Sequence, residues 1–300
     1  MDAESFEQAL HVYLVNGKTI VRDITHQHNF TGYCPLVFAM PHPAIGTSLD
    51  NIQIIFTQKS FAPNEGYASK DVLASIWMKK VNEQAAGNLN IIYYEGIKAE
   101  HRFLPGFHQS IIQLNNRLYH KKPGNVFLDG NLYKQVQVAY AVPRNISLIT
   151  VGEKEQFNLF PTDLHGPIDG HYIVSLRHEG KACQQVVNAG KILLSRVESA
   201  AHKTVYGLGK NHMQPLKDRE SFPLTSEFST ILKLPIPESS RSYRELELMD
   251  SFIHGIHRIM LFRTLSEQAI RPLGTTLSHI HNSYATWRYK NGLPGNYLLR

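Results

Sequence analysis

Between Val142 and Val197 the chain sets apolar, β-branched runs against a Pro- and Gly-punctuated loop and a short helical stretch, an order that admits few folds. Ile146–Val151, Phe157–Phe160 and His171–Arg177 read as strands, and FNLFPTDLHGPI places Asn158, Thr162, Asp163 and His165 among turn residues. After Arg177, HEG leads into a helix over Lys181–Ala189 that Gly190 stops, and Ile192–Val197 is a strand again. Downstream, Phe228–Leu234 is a strand closed by Pro235 and Pro237. Tyr243–Phe252 and Ile256–Arg263 form a long hairpin turning at His254-Gly255. Its first arm sets Leu246 and Leu248 against Glu245 and Glu247, which is period two. Many strands around one inserted helix argue for a closed barrel, the arrangement that removes exposed sheet edges.

The first part of the chain reads differently. Val12–Val15 and Thr19–Arg22 flank Asn16-Gly17, a strong hairpin dipeptide. Leu36–Met40, Ile52–Thr57 and Leu89–Tyr94 are buried strands. Ser69 is an N-cap for a helix whose apolar face is Val72, Leu73, Ile76, Trp77 and Val81, ended by Gly87. A second helix covers Gln109–Tyr119, and Val136–Val142 alternates as a strand. The turn-rich run at 121–131 marks a domain boundary. The expectation is therefore a smaller α/β domain over 1–130 and a β domain over 131–300, in an α+β, mainly β chain. No repeat is legible between the two halves.

Composition narrows the function classes. With 42% hydrophobic and 19% charged residues, the chain has the makings of a real core. No apolar run reaches the roughly 18–20 residues that span a bilayer, and MDAESFEQAL lacks an apolar signal core, so a cytoplasmic protein off the membrane is expected. Cys34 and Cys183 are far apart and read as free thiols. A net charge of +6 without a basic cluster argues against nucleic acid and suits a small phosphate-bearing ligand.

Three elements carry a family resemblance. VPRNISLITV supplies Ser147 and Thr150, NLFPTD supplies Asn158, Pro161 and Thr162, and HEGKACQQV places Lys181 at a helix start. In this order they resemble the flavin reductase-like, FMN-binding split-barrel family, over roughly Tyr133 to Arg263. The resemblance implies a six-stranded Greek-key split barrel, a homodimer, FMN as cofactor, and NADH or NADPH as electron donor. It also implies a cofactor-binding set of Thr150, Asn158, Phe160, Pro161, Thr162, Asp163, Arg177, Lys181, Cys183 and Gln184. Arg177 and Lys181 would take the phosphate, since a helix N-terminus offers unpaired N–H groups and partial positive charge. Asn158, Thr162 and the backbone at Asp163 would face the isoalloxazine or ribityl chain. Cys183 and Gln184 would close the turn, where K-A-C replaces the family's K-D-T. The implied activity is NAD(P)H-dependent flavin reduction; the alternatives are an electron-carrying FMN protein without turnover and a His-ligated metal enzyme.

The remaining motifs are weaker. HGIH (His254, His257) and HIH (His279, His281) have metal-ligand spacing, yet no third ligand is fixed, and solvated or core-capping histidines are the expectation. GLGKN at 207–211 lacks phosphate-loop spacing. His212 is a candidate lining residue. Tyr284, Trp287 and Tyr289 read as packing aromatics.

Overall fold

The computed structural model describes residues 10–43, 50–87, 89–119, 130–271, 276–280, 282–290 and 292. The chain divides into two compact units, Glu7–Val142 with Ile280–Arg300, and Pro143–His279.

In the first unit the strands are β1 (His11–Asn16), β2 (Thr19–Asp23), β3 (Asn29–Tyr33), β4 (Leu36–Pro43), β5 (Asn51–Thr57), β6 (Val72–Ala86) and β7 (Leu89–His101), followed by helices α1 (Gly106–Tyr119) and α2 (Gly130–Ala141). They form one antiparallel sheet in the order β2-β1-β5-β6-β7-β4-β3. The helix expected between Ser69 and Gly87 is instead a 3-10 turn, Ser69–Asp71, followed by strand β6. Its buried residues Ala74, Ile76 and Met78 recur every second position, and β5 and β7 pair with it on both sides. Conversely, the alternating run 136–142 lies largely in α2. The polar positions of that run are not solvent-facing: Gln135 and Gln137 are buried beside Val136 and Val138, and Gln137 Oε1 lies 2.9 Å from His101 Nε2. With these two corrections the unit is mainly β, not α/β.

The second unit contains β8 (Arg144–Asn145), β9 (Ser147–Glu153), β10 (Gln156–Thr162), β11 (His165–Ile168), β12 (His171–Arg177), helix α3 (Lys181–Ala189) and β13 (Lys191–Val197). After helix α4 (His202–Gly207) and a 3-10 turn at Leu208–Met213 come β14 (Lys217–Asp218), β15 (Leu224–Phe228) and β16 (Pro235–Pro237). The long hairpin of β17 (Ser240–His254) and β18 (His257–Ala269) and the short β19 (Ser278–His279) complete it. Helix α5 (Asn282–Lys290) belongs to the first unit, where Tyr284 packs edge-on against Phe103 at 6.0 Å. The strand expected over 228–234 is broken: β15 ends at Phe228, and the buried Glu245 carboxylate accepts the Ile231 and Leu232 N–H groups of the turn that follows.

The large sheet of this unit runs β11-β12-β18-β17-β13-β9-β10-β14. The expected closed six-stranded barrel is not formed: the sheet has eight strands, and none of its pairings joins one edge to the other among the described residues. It is nevertheless curled. β10 and β11 stand six strand spacings apart, about 29 Å in a flat sheet at ~4.8 Å per spacing. Only Asp163 and Leu164 separate them in sequence, a reach of about 10 Å from Thr162 to His165. The sheet must therefore bend its edges together. β9, β10, β12, β13, β17 and β18 all feed one core, including Ile149, Phe160, Val174, Leu194, Leu246 and Phe262, to which α3 adds Ala182, Cys183 and Val186. The opposite face packs Leu148, Leu159 and Leu193 under α4 and the 3-10 turn. No helix among the described residues is long and apolar enough to cross a membrane.

Candidate functional site

The seam between β10 and β11 is where polar groups from distant parts of the second unit converge. The bend itself is Asp163–Leu164, directly after the last residues of β10, Pro161 and Thr162, which follow the core residue Phe160. His212 Nε2 donates to the Pro161 carbonyl oxygen at 2.8 Å, which fixes the tautomer, and its ring centroid lies 4.9 Å from that of Phe160. On the other side, Arg144 Nε and Nη2 donate to Asp163 Oδ2 at 3.2 and 3.1 Å. Burial pushes the Asp163 carboxyl up, but Arg144, His279 and His165 outweigh it and hold the group below the usual carboxylate range. The next residue but one, His165, sets Nδ1 2.9 Å from the Tyr172 hydroxyl, and burial lowers its imidazole to about 4.

Helix α3 is tied to this seam by amides. Asn158 is 0% exposed, and its Nδ2 donates to Gln185 Oε1 at 2.7 Å and to the Asn211 carbonyl oxygen at 3.0 Å. Asn211 Nδ2 donates back to the Leu159 carbonyl oxygen at 2.8 Å, and Gln185 Nε2 to that of Gln214 at 3.0 Å. One strand, one helix and one 3-10 turn are locked together by four hydrogen bonds, each buried or partly buried.

The start of α3 carries two exposed bases, Arg177 and Lys181, and one exposed acid, Glu179, just before the helix. Gly180 is the N-cap in extended conformation, with no capping side chain and no acid in the first turn. The space there is tight: a Cβ would lie 3.2 Å from the Arg177 carbonyl oxygen and 3.5 Å from that of His212. The first N–H groups of a helix have no intrahelical acceptor, and here the exposed Arg177 and Lys181 flank them. Nearby His257 and His212 add no charge near neutral pH. Burial lowers His257 to about 4, Arg177 and His178 adding to the effect and Asp163 opposing it. Burial also lowers His212, against the Pro161 hydrogen bond and Asp163.

The ten residues expected to hold a cofactor fall into three groups. Arg177, Lys181 and Gln184 are exposed around the α3 start. Pro161, Thr162 and Asp163 lie at the bend, and the electrostatic neighbourhood of Asp163, Arg177, His212 and His257 joins these two groups. Asn158, Phe160 and Cys183 are buried beneath them, Cys183 in the core with its thiol pushed up by burial. Thr150 is not brought to this set: it is buried in register with Leu159 and Leu193, residues of the opposite face. Asn211 and Arg144 escaped the sequence reading. Asn211 lies 53 positions from Asn158, and no local pattern announces either contact.

His254 and His257 face each other as the last pair of the β17–β18 hairpin, and His279 sits in β19 beside Tyr206, its Nδ1 2.8 Å from the hydroxyl. His281 lies outside the described residues. Among the described residues no group of three or more His, Cys, Asp or Glu side chains is placed to hold a metal ion.

No family model matches the chain, and no curated protein matches it. Similar solved structures are FMN-binding proteins and flavin reductases. An FMN-binding protein from Thermus thermophilus with bound p-hydroxybenzaldehyde is 20% identical, over 46% of this chain and 82% of that one, at a TM-score of 0.42. The NADH:FAD oxidoreductase SgcE6 of Streptomyces globisporus C-1027 is 14% identical, over 53% and 94%, at 0.45. The styrene monooxygenase flavin reductase of Pseudomonas putida S12 is 14% identical, over 48% and 90%, at 0.40. At such identities and TM-scores these likenesses assign neither a family nor an activity to this chain.

Proposed function

We propose that the Pro143–His279 unit binds a flavin mononucleotide on its curled sheet and reduces it with NADH or NADPH. The observation that carries this reading is the start of α3, which has no capping side chain and no acid in its first turn, flanked by Arg177 and Lys181 with Glu179 just before the N-cap, next to a bend that follows the NLFPTD motif. The residues fit a phosphate ester at that end, because backbone N–H groups and two exposed cations meet there without a competing carboxylate in the helix's first turn. Arg177 and Lys181 bind the phosphate. Thr162 and the backbone at Asp163 face the ribityl chain and ring, their positions held by Arg144 and His212. Asn158 acts from beneath, keeping α3 at a fixed distance from β10 through Gln185.

A bound flavin supplies hydride acceptance and electron transfer, so the protein needs to orient it and tune its edge. His212 keeps a proton at Nε2 for the Pro161 carbonyl and stays neutral, which leaves the net positive charge at the phosphate end. The family resemblance extends the proposal to a homodimer. The test is the purified chain's absorption spectrum after incubation with FMN, followed by NADH and NADPH oxidation. Flavin uptake with turnover supports the reading. Uptake without turnover leaves an electron carrier, and no uptake rejects it.

A further inference from the structure

We infer that the chain is an internal duplication of one curled sheet and that only its second copy carries a ligand site; the second half of this inference rests on the flavin reading above. From β3 onward the first sheet reads β3-β4-β7-β6-β5-β1-β2, and the second reads β11-β12-β18-β17-β13-β9-β10 before its extra edge strand β14. Ranked within each unit, the seven main strands follow one order in both: third, fourth, seventh, sixth, fifth, first, second. The details agree as well. β1–β2 and β9–β10 are each joined by two residues, the first left-handed, Gly17 at φ 58° and Lys154 at φ 58°. The hairpins β6–β7 and β17–β18 both have arms of 15 and 13 residues. Both turn through two residues opened by a left-handed Gly, Gly87 at φ 65° and Gly255 at φ 56°. In both, the link from second to third strand crosses the full width of the seven-strand frame: Ile24–His28 in one, Asp163–Leu164 in the other. Curling a sheet requires none of these coincidences of length and turn backbone.

The copies differ in two links. Between the fourth and fifth strands the first copy has seven residues, 44–50, fewer than the nine of α3; the second has thirteen, 178–190. Between the fifth and sixth strands the first has 14 residues, 58–71, and the second 42, 198–239. These two insertions hold Lys181, Gln184 and Gln185 on one side and Asn211, His212 and Gln214 on the other, and the Gln185–Gln214 hydrogen bond joins them. The first copy's AIGTSLD at 44–50 contains no Lys or Arg, and Pro43 ends β4 where Arg177 ends β12. The third residue of β2 is the exposed Val21, whereas that of β10 is Asn158. The sheet is a shared frame, and the site is built on insertions that only one copy has.

The consequence is one flavin per chain. The experiment is calorimetric titration of the full chain with FMN, repeated on the Arg177→Glu/Lys181→Glu double variant; both positions are exposed, and circular dichroism checks its fold. The expected result is one equivalent in the wild type and affinity more than about tenfold weaker in the variant, a charge-assisted hydrogen bond being worth that much or more. Two equivalents overturn the one-site inference while leaving flavin binding intact. One equivalent of unchanged affinity in the variant also overturns it, because the ligand then sits elsewhere. No binding in the wild type rejects the flavin reading and the inference with it. Lys181→Ala provides the same comparison if the double variant fails to fold.

Discussion

His212 donates from Nε2 to the carbonyl oxygen of Pro161 at 2.8 Å, so a residue on the 3-10 turn fixes the backbone of a bend 51 positions earlier in the chain. Removing that donor frees the bend without touching Arg177 or Lys181. His212→Ala should weaken FMN binding up to about tenfold, the size of one hydrogen bond to a partly buried carbonyl, whereas His212→Gln should recover part of it. Equal losses in both variants would show that the ring and not its N–H matters.

Asn158 serves the frame before it serves any ligand. Its amide bridges β10 to Gln185 and to the Asn211 carbonyl oxygen while wholly buried. Asn158→Ala should therefore cost the ligand-free protein about 1–3 kcal/mol, the penalty for leaving buried partners unpaired, read as a lower urea midpoint. An unchanged midpoint with lost flavin affinity would reassign the residue to direct contact.

How far the sequence carried the fold depends on whether the deciding contact was local. β12 and α3 were legible to the residue, because an apolar run ending at Arg177 and a helix closed by Gly190 are set by neighbours in the chain. β6 was not: Val72, Leu73, Ile76, Trp77 and Val81 also fit one helix face, and only pairing to β5 and β7 decides for a strand. α2 failed in the opposite sense, since the alternation of Gln135 and Gln137 with valines looked half-exposed until His101 appeared as a buried partner. Of the site, Lys181 and NLFPTD announced themselves through motif order. Asn211, His212's hydrogen bond and the Arg144–Asp163 pair did not, because each joins positions 19 to 53 residues apart in the chain.

Gly152 lies at the end of the β9–β10 hairpin, where a Cβ would fall 2.3 Å from Phe157 Cδ1 and 2.9 Å from the Gln156 carbonyl oxygen. Phe157 belongs to the buried face under α4 and has little room to move. Gly152→Ala should destabilise the protein by about 1–3 kcal/mol, the range for overpacking. A neutral result in urea unfolding would mean that the hairpin end yields.

Acid should destabilise the fold in two stages. His165, His257 and His28 have folded values of about 4 against 6.5, all dominated by burial. The unfolded chain takes up their protons first, so this stability is complete above about pH 6.5 and is lost as pH falls towards 4. Burial pushes Glu245 up, but hydrogen bonds from Ser266, the Leu232 N–H, Ser229 and Thr230 bring it down to about 2 from 4.5. Its contribution is lost between about pH 4.5 and 2. Urea midpoints should be flat above pH 6.5 and fall in both windows, and Glu245→Gln should remove part of the lower fall, Asp163, which Arg144 holds low, keeping a share of it. A midpoint constant down to pH 5 would contradict the histidine assignments.

The most direct measurement is the ratio of FMN to riboflavin affinity in the wild type and in Lys181→Ala, since the two ligands differ only by the phosphate. The wild type should bind FMN more tightly than riboflavin, and the variant should lose about fivefold to a hundredfold for FMN, ~1–3 kcal/mol, with riboflavin unchanged. Equal affinity for the two ligands in the wild type, or equal losses in the variant, would contradict a phosphate seat at the start of α3.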